Sequence, residues 1–141
     1  MKMKLTDMSK FNNNDYYYHK VINFMCLLAS DYNKQKQCFN TDTNLAYEIS
    51  EYWEDNELDL YAEYQIEYVK ENVYVYKLIL EIINDFVKNS NNSDVWDQSK
   101  MERHIFWDKQ RRAAHDILIE LKEPLIIPQN LWSSNRGISL E

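Results

Sequence analysis

One glycine, two prolines and two cysteines in 141 residues rule out several architectures before any pattern is read. Turn-rich β folds place glycine and proline at many corners, and ordinary usage is roughly 7% and 5%, so long helices with few turns are expected. The lone Gly137 cannot build a phosphate-cradling loop or a dinucleotide fingerprint, each of which needs several glycines. Cys26 and Cys38 are too few for a disulfide framework; the apolar helical run around Cys26 predicts a buried thiol there, and both cysteines are expected to be reduced, in a cytoplasmic protein. No uncharged apolar run approaches the ~18 residues of a membrane span. The lysines of MKMKLTDMSKF are not followed by the apolar stretch of a signal peptide. The most apolar segment, VYVYKLILEIINDFV, is interrupted by Lys77, Glu81, Asn84 and Asp85 and reads as a core helix.

Hydrophobic content of 45% with 28% charge favours one globular domain spanning 1–141, with a flexible N-terminus over 1–13. Asn14 or Asp15 can cap a first helix carrying Tyr17, Val21, Phe24, Met25 and Leu28 at helical spacing. It is expected to end near Tyr32. The polar segment 33–44 reads as a connection, with Thr41, Asp42 or Thr43 capping a second helix that buries Leu45, Ala46, Ile49, Tyr52 and Trp53. Asn56, with Asp59 three residues on, resembles a capping box opening a third helix over 57–88. Its second half is apolar almost all round, although the β-branched and aromatic run Val73 to Tyr76 leaves a short strand open. NSNNSD, 89–94, is a loop. Ser99 and Glu102 form a second capping box before Met101, Ile105, Phe106, Ala113, Ile117, Leu118 and Leu121, and Pro124 stops that helix near Lys122. The result is an all-α, four-helix bundle-like domain with an irregular extended tail over 125–141, its apolar knots Leu125 to Ile127 and Leu131 with Trp132 docked on the bundle. Leu140 and Glu141 fit a cloning remnant.

The net charge of −7 is unevenly spread. Residues 1–39 balance at +3 and 87–141 at 0, while 40–86 hold twelve Asp and Glu against Lys70 and Lys77, a balance of −10. Glu51, Asp55, Asp59, Glu63, Glu67 and Glu71 recur at every fourth position, and on a helix such like-charge pairs cost about 0.2–0.5 kcal/mol each. A solvated face accounts for this cheaply; a basic partner accounts for it better. Tyr64 and Tyr68 run beside the row, with Tyr52, Tyr61 and Tyr76 near it. Tyrosine brings apolar area and one hydrogen bond to an interface at little entropic cost, while Tyr61 and Tyr76 are the rings most expected to point inward. Asp59, Glu63, Glu67 and Glu71 are the candidate charged contacts, with Tyr64 and Tyr68 as anchors.

Catalytic signals are thin. His19, His104 and His115 lack the spacings of helical metal sites, so neither metal nor cofactor is expected. The pairs Asp15 with His19 and His104 with Asp108 fit ordinary helix-surface contacts. Lys109, Arg111 and Arg112 beside Phe106 and Trp107 make a small basic cluster on an acidic protein, a poor phosphate binder. Those arginines are expected to pair with acids elsewhere in the domain, even with the central belt.

The segment WDKQRRAAHDILIELKEP, Trp107 to Pro124, resembles the C-terminal helix of small bacterial immunity proteins of contact-dependent inhibition and polymorphic toxin systems: a tryptophan, then arginine, alanine and paired aliphatics before a proline. The resemblance implies a small, acidic, cytoplasmic protein without catalytic machinery that covers a cognate toxin domain, often a basic nuclease. It transfers no contact residue. Two alternatives remain open. One is a phage or plasmid protein imitating DNA with long carboxylate rows; the other is a helical enzyme with a pocket joining His104 or His115 to carboxylates.

Overall fold

A computed structural model describes residues 15–39, 44–55, 73–128 and 131. Among them there is no strand, and the helices are α1 (Asp15–Ala29), α2 (Tyr32–Phe39), α3 (Leu45–Asp55), α4 (Val73–Lys88), α5 (Gln98–Met101) and α6 (Ile105–Leu121). The all-helical expectation therefore holds for the described residues. The strand left open at 73–76 is helix, because Val75, Ile79 and Ile82 fall on one buried stripe, and that burial outweighs β propensity.

α1 is the central element. Phe24, Met25, Leu27 and Leu28 are essentially inaccessible, so its second half meets neighbours on several sides. It packs chiefly on α6, which in turn packs on α4. Both contacts are antiparallel: Ser30 lies by Arg111 and Cys26 by Pro124, while Tyr74 lies by Asp116 and Asp85 by Gln110. α4 was expected to be buried almost all round. Instead it buries one stripe, with Val73 and Val87 exposed.

The polar segment expected to be a connection is largely α2. Asp31 caps it through the Lys34 amide at 3.0 Å, and Gln35, Cys38 and Phe39, spaced i, i+3, i+4, are buried. Gln35 Nε2 donates to the carbonyls of Leu27 at 2.9 Å and Leu28 at 3.4 Å. A buried amide thus serves the last turn of α1, where carbonyls run short of donors. α1 correspondingly ends at Ala29, not near Tyr32, with the Ser30 hydroxyl turned back onto the Cys26 carbonyl at 2.7 Å.

Cap assignments shift throughout. α3 is capped by Asn44, whose Oδ1 accepts from the amides of Ala46 at 3.0 Å and Tyr47 at 3.4 Å; Thr41, Asp42 and Thr43 lie outside the described residues. Ser99 is inside α5, and the cap there is Asp97, accepting from the Ser99 amide at 3.0 Å. The chain then breaks at 102–104, and α6 restarts with His104 Nδ1 accepting from the Phe106 amide at 3.0 Å. This register turns Phe106, Trp107, Gln110, Ala114, Ile117 and Leu118 inward and leaves Ile105, expected in the core, exposed. α6 closes near Lys122 as expected: the amides of Lys122 and Glu123 donate to the carbonyls of Ile119 and Leu118, with Lys122 left-handed at φ 59°, the pairing of a Schellman motif. In the tail, Leu125 and Ile126 are exposed, whereas Ile127, Pro128 and Leu131 turn toward the core. Trp132 lies outside the described residues.

Candidate functional site

Asp59, Glu63, Tyr64, Glu67, Tyr68 and Glu71, the residues singled out in the sequence, lie outside the described residues, as does Tyr61. The structure places the first two members of the acidic row, Glu51 and Asp55, on the last turns of α3, beside exposed Glu54. Tyr52 is core: it is 4% exposed, stacks on Phe24 with ring centres 6.3 Å apart, and meets Phe39 edge-on at 6.4 Å. The exposed tyrosine of this helix is Tyr47. Its hydroxyl hydrogen-bonds Glu51, and that bond, with the charges of Glu51, Glu54 and Glu48, raises the phenol above its ordinary range.

Tyr47, Ser50, Trp53 and Glu54 form one wall of a groove of about 640 Å³. Ile83, Phe86 and Val87 of α4 form the other, and Ser90 with Trp96 closes the end. Phe24 of α1 separates the two walls from below, 4.7 Å from Trp53 and 6.3 Å from Phe86 between ring centres. Phe86 continues into the core through edge-on contacts with Phe106 at 5.5 Å and Trp107 at 5.8 Å. The rim is shaped by the loop over 89–97. Asparagine side chains fold that loop on itself, with Asn92 Oδ1 accepting from the Asp94 amide at 3.2 Å. The Trp96 indole N–H donates to the Asn89 carbonyl at 2.9 Å, so Trp96 offers the groove its ring rather than its donor. Asn44 Nδ2 ties the α3 cap to the Trp96 carbonyl at 2.7 Å, fixing one wall to the end of the groove.

This groove was missed in the sequence, although its signal was available. Tyr47, Ser50 and Glu54 recur at helical spacing on the side of α3 opposite Leu45, Ile49 and Tyr52, and Trp53 sits half-buried between the two faces.

The basic cluster is engaged locally. Arg112 pairs with Asp108 at 2.6 Å and Arg111 with the same carboxylate at 3.5 Å, both within α6; Arg111 Nε also donates to the Ser30 carbonyl at 3.3 Å. The expectation of partners elsewhere in the domain is corrected for both, because i,i+3 and i,i+4 neighbours meet without crossing an interface. Lys109 does reach the central acids, pairing with Asp85 at 2.9 Å. Asp85 also accepts from Gln110 at 3.0 Å. Burial pushes its carboxyl up, and the bonds from Lys109 and Gln110 more than reverse this, holding it below the usual range. Lys100 pairs with Asp94 at 2.8 Å, and none of these ion pairs reaches Glu51, Glu54 or Asp55.

Other chemistry-bearing groups are occupied or buried. His104 spends Nδ1 on its cap, so it is not directed at Asp108. Burial pushes Cys38 up to about 11, and raises Cys26 despite the Ile126 amide, with the Glu123 charge adding to the rise. Thiols held protonated in this way are poor nucleophiles. Among the described residues no group of three or more His, Cys, Asp or Glu could hold a metal, and no helix is long and apolar enough to cross a membrane. Neither His104 nor His115 lines the groove. Comparison of the chain with protein-family models, curated proteins and solved structures returned no match.

Proposed function

We propose that this chain is an immunity- or antitoxin-type binding protein that neutralises a cognate bacterial toxin domain, a basic nuclease, through an acidic, tyrosine-lined surface. On this reading the helices form a bundle-like scaffold, the tail over 125–141 straps across it, and the protein works in the cytoplasm. The proposed contacts are Asp59, Glu63, Glu67 and Glu71 for charge, with Tyr64 and Tyr68 as anchors. The observation that carries it is the arrangement on α3: Tyr47, Glu51 and Glu54 share one face of the helix, with Tyr47 and Glu54 exposed beside an aromatic-lined groove. Carboxylates next to apolar area provide both halves of an interface, charge for steering and area for affinity.

The test is growth protection. Co-expression with a cognate nuclease toxin domain should restore growth. Changing Glu63 and Glu67 together to Lys should abolish protection while circular dichroism and thermal unfolding stay as in the parent. Undiminished protection by the double variant would reject the acidic surface as the contact.

A further inference from the structure

The groove between α3 and α4 combines three features that select one kind of occupant. Its walls are aromatic and aliphatic, from Trp53, Phe86 and Trp96 to Ile83 and Val87. Its lip carries Glu54, and among the described residues no basic side chain lines it. Glu51 and Asp55 stand near Glu54 on the last turns of the helix that forms one wall.

We infer that this groove receives an arginine side chain of a partner protein, its guanidinium against Glu54 and an indole face, with an adjoining apolar residue of the same segment over Ile83 and Val87. Arginine fits better than lysine because a planar, weakly hydrated guanidinium stacks on aromatic rings while donating to a carboxylate. Trp96 is suited to stacking because its N–H is already committed to Asn89. Exposed Tyr47 lines the same wall, its phenol raised above its ordinary range by the neighbouring Glu51 and Glu54. The volume of about 640 Å³ exceeds one side chain and admits a short segment, within the range of ~300–1,000 Å³ for ligand sites. A second copy is a poorer occupant, since a two-fold contact is built from the same patch on both subunits and would set acidic lips against each other.

This inference rests on the proposed binding role, but its test needs no toxin. The full-length protein is titrated with acetyl-Leu-Arg-Leu-amide and with the same peptide carrying citrulline, which keeps the shape and removes the charge. Binding is read from the indole N–H nuclear magnetic resonance signals, with buried Trp107 as internal reference. The arginine peptide should shift Trp53 and Trp96 saturably and bind on the order of tenfold tighter than the citrulline peptide. Glu54→Gln should remove most of that preference and leave the citrulline peptide unaffected. Equal affinities, or no shift with either peptide, overturn the inference. So does a dimer in sedimentation that Val87→Asp dissociates, since the groove would then belong to a second copy. Peptides failing while growth protection persists reject the groove alone; peptides binding while protection is absent reject the immunity role alone.

Discussion

Gln35 offers a sharp test of why residues 32–39 are helical. It is 1% exposed, its Nε2 serves the carbonyls of Leu27 and Leu28, and its Oε1 is buried without a partner among the described residues. Losing the donor leaves carbonyls of the last turn of α1 underserved, at about 1–3 kcal/mol, while losing the unpartnered oxygen relieves a penalty of similar size. Gln35→Met removes both and keeps the length, so it should be neutral to within about 1 kcal/mol. Gln35→Ala also removes the rest of a fully buried side chain and leaves its cavity, so it should cost about 2–5 kcal/mol more than the methionine variant. Gln35→Glu keeps an oxygen where the donor was and aims it at two carbonyls, so it should cost about 3 kcal/mol or more. Urea unfolding at neutral pH, followed by far-ultraviolet circular dichroism and tryptophan fluorescence, gives the three values. If the glutamate variant is no less stable than the methionine variant, donation by Nε2 is not what joins α2 to α1.

Two further changes address charge and backbone. Asp85 has its carboxyl held below the usual range by Lys109 and Gln110, so the unfolded chain binds its proton more readily; that stability is present at neutral pH and is lost as pH falls through and below the ordinary carboxylate range. Asp85→Asn should therefore lower the neutral-pH urea midpoint and flatten its acid slope, and an unchanged slope would count against the Lys109 pairing. Lys122 is the one described non-glycine residue with positive φ, a cost of roughly 1–2 kcal/mol that glycine largely escapes. After the extra freedom glycine gives the unfolded chain, Lys122→Gly should raise stability by about 0.5 kcal/mol, seen as a higher urea midpoint; a lower one refutes the Schellman closure as a strained site.

The apolar register of α1, α3 and the second half of α6 was legible because burial follows helical periodicity, whereas the near-continuous apolar run of α4 hid which stripe is buried. Two of the errors share a cause: polar side chains used inside the fold. Segment 33–39 looked like a connection because its composition is polar, yet Gln35 is buried as a hydrogen-bond donor and Asp31 and Ser30 serve the helix ends. The Ser99 and Glu102 spacing matched a capping box, but Asp97 two residues earlier accepts the Ser99 amide and His104 caps α6. Local motifs compete for one helix start, and the winner is set by which register buries Phe106 and Trp107. The groove needed α3 to meet α4 and the loop that follows it, across a separation the sequence does not bridge, and only the Tyr47, Ser50, Glu54 face could have hinted at it. The candidate row from Asp59 to Glu71 lies outside the described residues.

The acids of the central stretch are not equivalent, and this bears on what their excess means. Asp85 is matched by Lys109, and Glu48 is largely buried, so neither contributes to an open charged face. On α3, Glu51 and Asp55 stand four apart, a repulsion of about 0.2–0.5 kcal/mol, which a domain worth several kcal/mol tolerates without a counterion. Repulsion alone therefore does not demand a partner. The stronger argument is adjacency, because a purely solvated helix face has no use for a neighbouring groove walled by Trp53, Phe86 and Trp96. Water screens the carboxylates adequately, yet it gains nothing from those rings. A cation carried on an apolar segment gains from both, and the charge becomes more valuable as the rings exclude water around it.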